Sequence, residues 1–116
     1  MEMMIITKTQ MVKLGEPALQ QFISDTTPFL RKECPVFAEG KSDEDLAHVI
    51  RRFIALGKEY NITSGLNVQK LLYHTIHFEL PVPFSEPLDQ ALRAQGWGQN
   101  FRIKRFIKLI VSHGIR

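Results

Sequence analysis

Cys34 is the one cysteine of the chain. A single thiol excludes an internal disulfide and any all-cysteine zinc site, and it fits a reducing compartment. Long apolar runs are also missing. None approaches the roughly 20 residues of a membrane span, and Met3–Ile6, behind the acidic Glu2, is too short for a secretory signal core. These absences point to a soluble, cytoplasmic protein. No repeat, low-complexity tract, glycine-rich phosphate loop, nucleophile elbow or metalloprotease motif occurs. The C-terminal stretch has no acids either: none follows Asp89.

What is present suits one globular domain spanning residues 1–116. With 44% hydrophobic and 23% charged residues, the chain is long enough to bury a core without staples. Its net charge of +3 hides an asymmetry. Six cations (Arg93, Arg102, Lys104, Arg105, Lys108 and Arg116) lie beyond Asp89, while the first 89 residues carry nine basic and twelve acidic ones. Such a gradient suits an anionic partner or simply a solvated helix face.

Apolar spacing and capping signals predict an all-α bundle of five or six helices, with a short extended apolar segment at Met3–Ile6. Thr7 can cap a first helix. Residues 8–34 fit either one kinked helix or two stacked ones, because Pro17 and Thr27-Pro28 both read as helix starts. Residues 35–41 read as a connector. Ser42, followed by Asp43, Glu44 and Asp45, opens the cleanest amphipathic helix, which runs to about Tyr60 and ends at Asn61. Thr63 and Ser64 cap the next, to about Phe78, with Asn67, Lys70, His74 and His77 on its polar side. Leu80–Phe84 is a stiff link held by two prolines. A short helix follows from Ser85, and Trp97 is expected to plug a gap between helices. Asn100 is expected to cap the last helix, Phe101 to His113.

Few residues suggest chemistry. His74 and His77, three apart, share a helix face, but Lys70 one turn earlier opposes a cation and no third ligand is near. Cys34 sits near a helix C-terminus, where the dipole opposes a thiolate, and reads as a buried structural cysteine. The acids at 43–45 are explained by helix capping. No catalytic residue, metal, cofactor or small-molecule substrate is expected. The last helix is the most informative segment. Its apolar arc, Ile103, Phe106, Ile107, Leu109, Ile110 and Val111, opposes a stripe of Lys104, Arg105 and Lys108 with Arg102 flanking it. A salt-dependent contact with an acidic protein surface is the favoured use of that stripe. Tyr60–Ser64 also joins two helices as a helix-turn-helix does. The second helix carries one permanent charge, too little to grip phosphates, so nucleic acid is not the expected partner.

Gln10-Met11, Phe22, Pro35, Phe37, Leu46–Ile50, Ala55, Tyr60, Ile62-Thr63-Ser64 and Val68, followed by a proline-interrupted stretch and a final helix, form a pattern. In it the whole chain resembles small helical proteins encoded in type VI secretion clusters beside spike, effector and adaptor genes. The resemblance implies a non-catalytic accessory role, co-chaperone-like, with a secretion adaptor or effector as protein partner. Leu80, Val82 and Phe84 of the link and Arg102, Lys104, Arg105 and Lys108 of the stripe are the expected docking residues. A toxin-neutralising immunity protein and a small helix-turn-helix regulator are the alternatives.

Overall fold

The computed structural model describes residues 16–116. The apolar opening at Met3–Ile6, the Thr7 cap and the first part of the 8–34 segment lie outside the described residues. Six helices follow: α1 (Glu16–Glu33), the single turn α2 (Pro35–Ala38), α3 (Asp43–Glu59), α4 (Gly65–His77), α5 (Glu86–Arg93) and α6 (Gln99–Val111). There is no strand among the described residues, and the all-α expectation holds.

The 8–34 alternative resolves to one helix across its described part. Pro28 lies inside α1 rather than starting a new helix. Proline removes one helical N–H, and the Thr27 hydroxyl donates to the Ile23 carbonyl at 2.8 Å on the preceding turn. Apolar anchors on both sides of the proline, Phe22, Ile23 and Leu30, are buried in the common core. That burial outweighs one lost hydrogen bond. The connector is not irregular throughout, because Pro35 starts the turn α2.

Helix α3 begins with the expected capping box. Asp45 N–H donates to Ser42 Oγ, and Ser42 N–H donates to the Asp45 carboxylate, each at 3.1 Å. Its buried face is Leu46, Val49, Ile50 and Ile54. The helix ends with Asn61 in the left-handed region at φ 59°. There Ile62 N–H donates to the Gly57 carbonyl at 2.7 Å and Asn61 N–H to that of Lys58 at 3.0 Å. This pair of reversed bonds satisfies carbonyls that a helix end would leave open. Helix α4 ends the same way, with Glu79 at φ 53° and Leu80 N–H donating to the Thr75 carbonyl.

Helix α1 packs on α3 and α4, α3 on α4, and α6 on both α4 and α5. Fully buried Leu30, Leu46, Ile50, Leu71, Leu72, Leu88, Leu92 and Phe106 fill the space between them. The link after α4, with a cis peptide at Val82–Pro83, sends Leu80 and Phe84 into this core. Phe84 meets Phe106 edge-on at 5.3 Å between ring centroids.

The first turn of α6 holds the bundle at the α3–α4 turn. Arg102 is only 7% exposed. Its guanidinium donates to the carbonyls of Tyr60 at 2.6 Å, Asn61 at 3.2 Å, Leu92 at 2.5 Å and Trp97 at 3.0 Å. Two of these close the C-terminal end of α3 and one belongs to the last turn of α5. Gln99 completes the clamp with the opposite polarity. Its Oε1 accepts from the N–H groups of Thr63 and Ser64, both at 3.0 Å, at the start of α4. Asn67 is drawn in as well, donating to Gln99 and to Asn100 Oδ1, the latter at 2.7 Å. Asn67 is therefore buried, not part of the outer polar face that spacing suggests. Helix α6 starts two residues earlier than expected, with Gly98 as its cap. Asn100 lies inside the helix and accepts from Asn67 instead of capping.

Replacing Arg102 with methionine keeps most of the stem but leaves four carbonyls without their donor. Each buried acceptor left open costs about 1–3 kcal/mol. A loss of about 3 kcal/mol or more is expected in urea unfolding, with Arg102→Lys falling between. An unchanged midpoint would remove this clamp as a structural determinant. Gly57→Ala sets two effects against each other. Alanine is the better helix former by about 1 kcal/mol, but its Cβ would stand 2.6 Å from the Ile62 carbonyl oxygen, a backbone atom. Overpacking costs about 1–3 kcal/mol, so net destabilisation is expected, and a raised midpoint would contradict it.

Candidate docking surface on the last helix

At roughly 100° per residue, packing Arg102, Ile103, Phe106 and Ile110 inward turns Phe101, Lys104, Arg105 and Lys108 outward. All four are exposed. Lys104, Arg105 and Lys108 make no ion pair among the described residues. Three of the expected docking residues must be withdrawn. Arg102 is consumed by backbone carbonyls, and Leu80 and Phe84 are core residues. Of the three link residues expected to dock, only Val82 is exposed, 53%. Val111 also departs from its expected place on the apolar arc and faces outward.

Two aromatic residues that sequence reasoning did not assign to a surface stand beside the cations. Trp97 is 54% exposed and Phe101 46% exposed. Their rings stack with centroids 4.4 Å apart and planes 16° apart. Trp97 thus plugs no gap between helices. Its carbonyl, not its ring, is held by Arg102. A signal for Phe101 was available: on a helical wheel it falls among Lys104, Arg105 and Lys108 rather than with the apolar arc.

The stack forms one wall of a groove between α5 and α6 of about 560 Å³. Ala91 and Ala94 line its α5 side and Leu109 and Arg105 its α6 side. No acid lines it. Asp89, the last acid of the chain, is turned away. It accepts from Tyr60 Oη at 2.6 Å and pairs with Arg93 Nε at 3.0 Å. The bond from Tyr60, then that from Arg93, holds its carboxyl below the usual carboxylate range. Burial, then the Asp89 carboxylate, pushes the Tyr60 phenol up to about 12. On the other side of α6 lies a cleft of about 610 Å³ against α4, lined by Leu66, Lys70, Lys104 and Ile107.

Cys34, His74 and His77, the residues the sequence singles out for chemistry, are engaged in packing. Cys34 is buried, and burial, reinforced by Glu33, pushes its thiol up. His74 stacks on Phe78 and His77 on Tyr73. His74 Nδ1 lies 2.7 Å from the Lys70 carbonyl, which can only accept, so that nitrogen carries the proton. Burial lowers the His74 pKa, so its charged form is disfavoured. Among the described residues no group of three or more His, Cys, Asp or Glu side chains is placed to hold a metal ion. Helix α4, the second helix of the helix-turn-helix reading, is flanked by α1, α3 and α6. Gln69 on it is tied to Thr26 of α1 at 3.1 Å. No helix among the described residues is long and apolar enough to cross a membrane.

A thiol reagent at pH 8 should label Cys34 slowly in native buffer and rapidly once urea unfolds the chain. Rapid native labelling would place the thiol at the surface. Comparison with models of known protein families, with curated proteins and with solved structures finds no match to this chain.

Proposed function

We propose that the chain is a non-catalytic protein-binding accessory factor that docks through the outer side of α6 onto an acidic protein surface. The observation that carries this reading is the exposed Trp97–Phe101 stack beside three cations, Lys104, Arg105 and Lys108, that make no ion pair among the described residues. Large aromatic side chains and arginine supply most of the energy of protein interfaces. Unpaired surface cations steer an acidic partner and select its orientation. Leaving such aromatic area in water has no benefit for the fold itself. The sequence resemblance to accessory proteins of type VI secretion clusters gives this partner a class, a secretion adaptor or effector, with the present chain acting as its co-chaperone. An immunity protein masking a basic nuclease cleft would need an acidic face, and the sign here is opposite. A regulator reading duplex DNA would need a freely projecting second helix, and α4 is packed on three sides.

The test is affinity co-purification of the tagged chain with mass spectrometry, followed by a salt titration and the triple change Lys104→Glu, Arg105→Glu, Lys108→Glu. Exposed pairs are worth about 0.2–1 kcal/mol each, so the triple change should weaken the complex roughly tenfold or more and leave the fold intact. Recovery of nucleic acid alone, or a complex indifferent to the triple change, would overturn the reading.

A further inference from the structure

The groove between α5 and α6 has features that a charged surface alone does not require. Its floor holds small side chains, Ala91 and Ala94, which leave depth between the two helices. One wall is the Trp97–Phe101 stack, preorganised by ring contact. Its rim carries Arg105, which has no ion-pair partner among the described residues. The second arginine beneath it, Arg102, has its guanidinium taken up by four carbonyls and is not free to bind a ligand. With Asp89 turned toward Tyr60 and Arg93, the groove offers apolar surface and a single available positive charge.

Resting on the protein-binding reading above, we infer that this groove receives a short apolar and acidic segment of the partner protein. A large apolar side chain lies on the Trp97–Phe101 stack over the alanines, and a carboxylate of the same segment pairs with Arg105. The charge of the groove selects the acid, and its depth selects the apolar anchor. Rigid aromatic walls reduce the ordering cost of such a contact. Lys108, one turn beyond Arg105 on the outer side of α6, extends the positive field along the path of the segment.

Trp97 is the one tryptophan of the chain, so its emission reports the groove directly. A random twelve-residue peptide library is panned on the full chain, and enriched peptides are then titrated against it while Trp97 fluorescence is followed. The expected result is enrichment of peptides pairing Leu, Ile or Phe with Asp or Glu, and a blue shift on binding as the indole leaves water. Phe101→Ala and Arg105→Glu, both at exposed positions, should each weaken binding at least tenfold. Ala94→Leu, which fills the floor, should do the same, with circular dichroism checking the helices of every variant. Absence of enrichment, enrichment of basic peptides, or binding indifferent to Phe101→Ala would overturn the inference. So would displacement of the peptides by oligothymidylate at equal concentration, which would make the stack a base platform. The two readings fail separately. If the triple charge reversal breaks the co-purified complex and Phe101→Ala does not, the groove is dismissed and the charged face stands.

Discussion

The α3–α4 turn depends on the first turn of α6. Where one helix ends and the next begins, the backbone presents free carbonyls and then free N–H groups within a few residues. Arg102 meets the first kind and Gln99 the second. The two side chains lie three apart on one helix, and so share a face. A cation at the carbonyl end and an acceptor oxygen at the N–H end also match the two helix dipoles. Arg102 reaches α5 in the same action, through the Leu92 carbonyl. A buried guanidinium without a carboxylate is normally costly. Here multiple backbone acceptors meet that cost, and three chain segments are placed relative to one another in return.

The clamp decides what the molecule offers outward. Once Gln99 and Arg102 face in, the helical step leaves Phe101, Lys104, Arg105 and Lys108 in solvent. Holding the Trp97 carbonyl against Arg102 sets the indole outside, where it stacks on Phe101. Buried structural residues and solvent-exposed ones therefore alternate along one short segment. A substitution at 102 would disturb the surface through the fold, whereas one at 101 or 105 would act at the surface alone.

Several other reactive groups among the described residues are engaged in packing. The thiol of Cys34 is buried, the two imidazoles of α4 lie in an aromatic row with Tyr73 and Phe78, and Asp89 and Arg93 serve Tyr60. These roles follow from burial and neighbour geometry.

Local rules were enough for most of the helices. The capping box at Ser42, the left-handed stop at Asn61 and the apolar stripe of α3 involve residues within a turn or so of each other, so their physics is written in adjacent letters. The same holds for the outward direction of Lys104, Arg105 and Lys108. Tertiary structure decided the rest. Arg102 sits at the edge of the basic stripe, and its burial depends on carbonyls 41 and 42 residues away. Leu80 and Phe84 read as an exposed link until the core closes over them. Trp97 reads as a core residue by its size, yet its loop anchors by backbone and leaves the ring outside. Pro28 reads as a helix start until apolar anchors on both of its sides hold one helix through it. Helical period and capping are short-range properties of the chain. Whether a polar or aromatic side chain is buried depends on which distant partners the fold brings to it.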